Sequence, residues 1–397
     1  MGYEFDFFGA AIVSNQMKSL SRDRLARLLY YPDGVPIRAP IDLPPVSVAN
    51  VPLSQTYRSI AETPDTMTSG RVVDTVVRQI QSSGGIISAA DFFGDSESTR
   101  ISADVEPLIE VDGWKVYGSW KPSGSVTAAA LLSIMASAAD VQAIRPDDPA
   151  HYVTVALASN YAFADRMSFL SGTTPVDQVR NLLSPERISM IADAVVGREL
   201  PSWRYEDERS GVATSCFTIA DSEGGLAAVT QTLLGDFGSH VGVEELGFHL
   251  NNGMLWFNPE PGAVNSIAGG KRALSAMSSM IATNGKMSVA IAGLGARRII
   301  TAVSQALELY VHHGLPLMEA IDLPRIHTDG SDIRLDERAP VGVWNELRRA
   351  GFEPTAAHYG PTSTATGRLM AVEYDSSTRR ASRAIDPRAS SAWTDRR

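Results

Sequence analysis

GVATSCFTIADSEGG, residues 211–225, places three small nucleophile-bearing side chains, Thr214, Ser215 and Cys216, together at the start of an alternating run. Phe217, Thr218, Ile219 and Ala220 continue the alternation of a strand, and Asp221 to Gly225 supply turn residues. LAAVTQTLL (226–234) follows as a second strand, so the two read as a hairpin whose first residue sits at an edge. A backbone break just before Thr214 would do such a hairpin little harm.

Chemistry gives that position a meaning. A threonine hydroxyl is a weak nucleophile until a base stands beside it, and its own α-amine, with a pKa of roughly 7.7 to 8.0, is a suitable base at neutral pH. That amine exists only once the preceding peptide bond is cut. A site of this kind needs a small hydroxyl residue at a strand start, an exposed segment upstream and backbone N–H donors from a neighbouring turn. Thr214 heads a strand, the charged connector LPSWRYEDERSG (200–211) precedes it, and the turn AGLGAR (292–297) ends another strand. Taken alone, these features favour a hairpin in which Thr214 and Thr218 are ordinary strand residues.

Composition narrows the function classes. The chain has 397 residues, 44% of them hydrophobic, enough for one large domain or two closely packed ones. A net charge of -10 with no dense Lys/Arg run speaks against nucleic acid or an anionic membrane surface, and for a small molecule or another protein as partner. The single cysteine, Cys216, excludes an internal disulfide framework and points to a reducing, cytoplasmic compartment. The opening MGYEFDFFGAAIV carries Glu4 and Asp6 where a signal peptide would carry positive charge, and Asp6 stands where a myristoylation site needs Ser or Thr. No apolar run approaches the roughly 20 residues that cross a bilayer.

Along the chain the pattern changes near residue 210. Closely spaced prolines in PDGVPIRAPIDLPPVSVANVP (32–52) predict an irregular segment. Val72, Val73, Val76, Val77 and Ile80 recur at helical spacing before Gly84 and Gly85, and SVTAAALLSIMASAA (125–139) predicts a buried helix. GWKVYGSW (113–120) predicts a short strand, and further helices are expected at 152–168, 176–184 and 185–197. Beyond the connector strands dominate, at 214–220, 226–234, 247–251, 273–282 and 287–292. Helices at 296–311, 316–321 and 341–350 and strands near 368–374 and 380–385 complete the pattern.

Other chemistries find no support. His312 and His313 are adjacent and the other histidines stand at 151, 240, 249, 327 and 358, without H-E-x-x-H or Cys/His ligand spacing, so neither a metal nor another cofactor is expected. The GLG at 293–295 lacks dinucleotide and phosphate-loop spacing and reads as a tight turn. No Gly-x-Ser-x-Gly elbow is present.

Several segments, in order, resemble the γ-glutamyltranspeptidase family of N-terminal-nucleophile hydrolases. They are TSCFTIADSEGGLAAVTQTLLGDFGS (214–239), LGFHLNNGMLWF (246–257), AGGKRALSAMSSMI (268–281), AGLGARRIITAV (292–303), HHGLPLMEAIDLPRIH (312–327) and AIDPR (384–388). Upstream, MTSGRVVDTVVRQIQSSGGIISAADF (67–92), GWKVYGSWKPSGS (113–125) and YAFADRMSFL (161–170) resemble the end of that family's large subunit, so the likeness covers roughly residues 45 to 388. It implies an α+β fold, an αββα sandwich with a mainly helical first half. Residues 1–213 would then be a large-subunit-like segment and 214–397 a small-subunit-like segment.

The resemblance implies Thr214 as nucleophile, released by autocatalytic cleavage of the Ala213–Thr214 bond. It implies Thr232 as the threonine that touches the nucleophile's amine, the backbone N–H groups of Gly295 and Ala296 as oxyanion hole, and Ser275 as the first of a serine pair. Departures are informative. The second serine is Ala276, the asparagine after the second strand is Leu234, and the Gln and Asp that follow Leu-Asn-Asn are Gly253 and Trp256. A buried substrate ammonium would lack its carboxylate, so a free γ-glutamyl group is a poor candidate and a more apolar acyl group is expected. Cys216 replaces a histidine and is a rival nucleophile, and Arg297 and Arg298 are expected to be structural. The family's long opening portion, with its carboxylate-binding arginine, has no counterpart before about residue 45. Either a separate chain, a copy of this one included, completes the sheet, or this chain closes it differently.

The expectation is an amidohydrolase or acyltransferase working through an acyl-enzyme, with C–C bond hydrolysis as a further variant. The alternative is an uncleaved, non-catalytic homologue serving as subunit or scaffold.

Overall fold

The computed structural model describes residues 2–5, 7–38, 46–92, 105–138, 145–201, 213–330, 332–360 and 363–388. Of the charged connector expected at 200–211, residues 202–211 lie outside the described residues. The chain forms two compact units, one from residues 1–104 and 233–252, the other from 105–232 and 253–397.

In the first unit, Asp23 and Asn50 fasten the two stretches of chain together. Asp23 caps the helix Arg24–Tyr30 by accepting from the Ala26 N–H at 2.7 Å, and its second oxygen accepts from the Gly242 N–H at 2.8 Å. His249 Nε2 adds a contact of 3.2 Å to the same carboxylate. Asn50 caps the helix Val51–Glu62 through the Leu53 N–H at 3.1 Å and donates to the Gly247 carbonyl at 2.8 Å. The helix Arg71–Ser82 buries Val72 and Val76 against Val243 and Leu246, the face its valine spacing predicts.

The second unit is built on a six-stranded sheet. Its order is Arg380–Ile385, Arg368–Asp375, Met287–Leu294, Met280–Thr283, Trp114–Tyr117, Ile109–Val111, with every neighbour antiparallel. The central strand is buried from Val289 to Gly293, so both faces are covered. Val289 and Ile291 join a core with Leu132 of the helix Gly124–Ser137 and Ile299, Ile300 and Val303 of the helix Arg298–Leu307. Strand alternation turns Ala290 and Ala292 the other way. Against that face lies the hairpin Ala213–Ala220 and Leu226–Leu234, packed on the strands Met287–Leu294 and Arg368–Asp375. The two alanines leave room for this close stacking.

Helices, a six-stranded antiparallel sheet and a stacked hairpin give the α+β sandwich expected. Among the described residues the second sheet is that hairpin alone. Its outer face carries Phe217 and Ile219, 42% and 53% exposed. A further core packs the helices Pro149–Phe169 and Pro185–Val196 on a small sheet of Ile326–His327, Ile333–Asp336 and Pro354–Ala357.

An ion-pair network fixes the two arginine-containing stretches that resemble family motifs. Arg325 and Arg388 both pair with Asp386, which is fully buried, and Arg388 also pairs with Asp336. Arg338 extends the network to Asp336 at 3.1 Å and Asp322 at 2.9 Å. Here PRIH and AIDPR serve the architecture, holding the end of the helix Leu317–Asp322 to the strand Arg380–Ile385.

Several expectations need correction. The segment 32–52 is not wholly irregular: Val46–Ala49 pairs with Gly2–Phe5 as a strand, and a helix begins at Val51. The strand expected at 273–282 is confined to Met280–Thr283, and that expected at 247–251 to Phe248–His249.

Candidate active site

Asp221 sets the hairpin's register. Its N–H donates to the Gly225 carbonyl at 3.0 Å, and its Oδ1 accepts from the N–H groups of Glu223 and Gly225 at 2.9 and 2.7 Å, an Asx turn. Counting equally along both strands from this turn brings Thr214 opposite Thr232. Thr214 Oγ1 donates to Thr232 Oγ1 at 3.2 Å.

Strand alternation sorts the three candidate nucleophiles. Thr214 is half-buried and Cys216 buried on the face toward the six-stranded sheet, whereas Ser215 is exposed. Burial pushes the Cys216 thiol up to about 12, so it carries almost no thiolate at neutral pH. Ala213 belongs to the strand backbone.

Thr230, on the same face as Thr232, ties the hairpin to the turn below. Its Oγ1 lies 2.9 Å from Ser279 Oγ and donates to the Gly293 carbonyl at 3.3 Å. Two residues on, Gly295 and Ala296 adopt φ of 133° and 55°. A Cβ on Gly295 would stand 3.1 Å from the Gly367 Cα, so both conformation and space require glycine there. Ala296 is a non-glycine residue held in the left-handed region, a strain of the order of 1–3 kcal/mol sustained by its surroundings. The Gly295 carbonyl accepts from Arg298 N–H at 3.2 Å and from Arg298 Nε at 2.9 Å. Because the peptide is planar and trans, the Ala296 N–H points the opposite way, outward from the N-terminus of the helix Arg298–Leu307. That end carries the positive pole of the helix, where developing negative charge is stabilised.

Arg297 pairs with Asp329 at 2.8 Å, and buried Arg298 braces the turn. Thr301 Oγ1 meets His327 Nδ1 at 2.8 Å, and burial takes His327 down to about 3, so this imidazole is neutral.

Ser275 lies on a stretch without regular structure, its Oγ accepting from the Met277 N–H at 3.1 Å. Arg166 holds this stretch, donating to the carbonyls of Ser275 at 2.8 Å and Leu274 at 3.3 Å. Ala276 is buried beside it. Gly253 and Trp256 bound a short helical turn in which Met254 and Leu255 are exposed, and the Trp256 carbonyl accepts from Asn265 Nδ2 at 2.8 Å. Leu234, in the first unit, is buried with φ of 77°, a left-handed backbone that suits asparagine better than leucine. The structure thus brings Thr214 to Thr232, and Thr230 to the strand that ends in Gly295 and Ala296.

Over residues 10–394 the chain matches the family described as gamma-glutamyltranspeptidase. It belongs to that family. Among curated relatives, the acylase ACY 1 proenzyme of Pseudomonas sp. (strain V22) is 28% identical over 377 residues, 89% of this chain and 64% of the relative. The glutathione hydrolase proenzyme of Pseudomonas aeruginosa is 30% identical over 323 residues, 76% of this chain and 57% of the relative. The chain therefore spans less than two thirds of the length of either. The crystal structure of cephalosporin acylase from Bacillus halodurans shares the fold, with a TM-score of 0.76 at 20% identity, over 98% of this chain and 70% of that one.

Around this candidate site the sequence does not single out Thr230 or Arg166, whereas Arg298, expected to be structural, braces the Gly295 carbonyl. Thr230 was signalled by its two-residue spacing from Thr232. Arg166 acts on the backbone carbonyls of a distant segment, a role that leaves no local pattern, whereas Arg298 acts on the Gly295 carbonyl three residues before it.

Proposed function

We propose that the chain is an N-terminal-threonine amidohydrolase or acyltransferase. The observation that carries this reading is the Thr214–Thr232 hydroxyl contact at a strand start, on a hairpin tied to the strand that ends in the Gly295–Ala296 turn. Cleavage of Ala213–Thr214 frees the Thr214 α-amine, which accepts the Oγ1 proton as Oγ1 bonds to the substrate carbonyl carbon. Thr232 orients that hydroxyl. The resulting oxyanion is held by the N–H groups of Gly295 and Ala296, and its collapse breaks the C–N bond while the ammonium proton passes to the leaving amine. Water or an acceptor amine then takes the acyl group from Oγ1. Relatives described as proenzymes support the cleavage step.

Leu234, Gly253 and Trp256 offer no charge at the positions where the family pattern has polar groups, so the proposed acyl group is apolar and not γ-glutamyl. An amide with an apolar acyl group should be turned over faster than a γ-glutamyl amide, and comparison of kcat/KM for the two tests this. The exposed Phe217 and Ile219 face of the hairpin is proposed to be covered by further strands from a separate polypeptide, in keeping with a chain that spans less than two thirds of the length of these curated relatives. Their truncation to Ser should lower co-purification with that polypeptide. The lone buried cysteine keeps the proposed compartment cytoplasmic.

Two substitutions probe the site. Gly295→Ala keeps the backbone N–H but cannot hold a φ of 133° without strain, so the turn must shift and misaim its donors. Its kcat is expected to fall by about 100- to 1000-fold, the typical effect of losing one oxyanion donor, with some loss of stability. Activity within a few-fold of the parent would remove the turn from the mechanism. Cys216→Ala is expected to retain both chain splitting and turnover, because its thiol is protonated and buried. Loss of both in a folded variant would move the nucleophile to Cys216.

A further inference from the structure

The acyl-transfer site uses neither the His312–His313 pair nor His151. At its far end the helix Arg298–Leu307 widens into a π-helical turn, Glu308–His312, closed by the His313 N–H donating to the Glu308 carbonyl at 3.2 Å. Residues five apart on an α-helix lie about 140° around the axis, given 3.6 residues per turn. The wider closure returns residue 313 over residue 308, and such turns recur at functional sites. Accordingly His313 Nε2 lies 2.9 Å from Glu308 Oε1.

His151, in the first turn of the helix Pro149–Phe169, completes the cluster, its Nε2 3.8 Å from Glu308 Oε2. The donor atoms of the three side chains all lie within 4.8 Å of one another. Glu308 is 0% exposed and His151 5%, and among the described residues neither Glu308 Oε2 nor His151 Nδ1 has a hydrogen-bond partner. Buried polar atoms without partners call for an explanation, and a buried carboxylate costs several kcal/mol unless its charge is compensated.

We propose that His151, Glu308 and His313 bind a divalent transition-metal ion, with zinc the best match. Two imidazoles and a carboxylate suit zinc, whose bonds of about 2.0–2.2 Å in a tetrahedron set neighbouring ligand atoms about 3.3 Å apart. The 2.9 and 3.8 Å separations bracket that value. Magnesium and calcium prefer all-oxygen shells. Three protein donors leave one position for water. The ion would clamp the start of the helix Pro149–Phe169 to the end of the helix Arg298–Leu307. The His312 Nδ1 contact with Asp112 at 2.5 Å would support its edge.

The test uses the full chain, stripped by dialysis against a chelator and then titrated with zinc chloride. One zinc per chain by elemental analysis and a melting temperature raised by several degrees are expected, since a ligand that binds only the folded state stabilises it. Cobalt in place of zinc should give a visible absorption band, which reads the site without any substitution. His313→Ala and Glu308→Gln should each weaken zinc binding by about 100-fold or more, exceeding the 10- to 100-fold seen on losing an outer-shell partner. A parent chain that binds neither zinc nor cobalt overturns the proposal. So does equal affinity in parent and variants, which would place the ion elsewhere.

Discussion

Thr214→Ala is expected to give a folded chain that neither splits before residue 214 nor turns over any amide substrate. The structural loss is small: one hydroxyl contact of 3.2 Å to Thr232, about 1 kcal/mol against a typical stability of about 5–15 kcal/mol. The chemical loss is not small, because the attacking atom and its proton are both removed. Loss of a covalent nucleophile in hydrolases of this general kind costs on the order of 10⁴- to 10⁶-fold in kcat. Thr214→Ser restores an oxygen at the same place and should recover splitting and part of the rate. Electrophoresis under denaturing conditions reads the split, and amide turnover reads the rate. A Thr214→Ala chain that still splits at this bond would assign the attack to Ser215 or Cys216.

Asp386→Ala is expected to be the most destabilising single change in the second unit. The Asp386 carboxylate pairs with Arg325 and Arg388 and accepts the N–H groups of Arg388 at 3.0 Å and Leu369 at 3.3 Å. Its removal leaves two buried guanidinium groups without that partner, and breaking a buried pair in this way costs about 3–5 kcal/mol. With a urea slope of about 1–3 kcal/mol per molar, the unfolding midpoint should fall by a molar or more. Burial alone would raise the Asp386 pKa, but Arg325 and Arg388 outweigh it and hold the carboxyl below the usual range. The unfolded carboxyl titrates near about 3.9, so this contribution is complete above that pH and is lost as pH falls through the lower folded value. Asp386→Ala should therefore also flatten the acid limb of the stability curve. An unchanged midpoint would show that the network contributes little.

Legibility in the sequence followed the length and regularity of each pattern. The hairpin was predicted at 214–220 and 226–234 and found at Ala213–Ala220 and Leu226–Leu234, because alternation and an acidic Gly-rich turn act together. The Ala-rich helix was equally clear, since a segment apolar on every side has to be buried. The sheet formed by Ile326–His327, Ile333–Asp336 and Pro354–Ala357 was not legible: runs of two to four residues are too short for a period of two to show. Residues 273–279 carry strand-like composition yet stay irregular, their backbone carbonyls at Leu274 and Ser275 held by Arg166. The Glu308–His313 spacing matched no helical face, because only a π turn aligns residues five apart. At the candidate active site the hydroxyl residues could be read from the hairpin, whereas the positive φ of Ala296 and Leu234 became visible only in three dimensions.

The most direct measurement is the intact mass and N-terminal sequence of catalytically active protein. A fragment beginning at Thr214 with a free amine, beside a fragment ending at Ala213, is the predicted result. Full turnover by a chain in which Ala213 and Thr214 remain joined would contradict it.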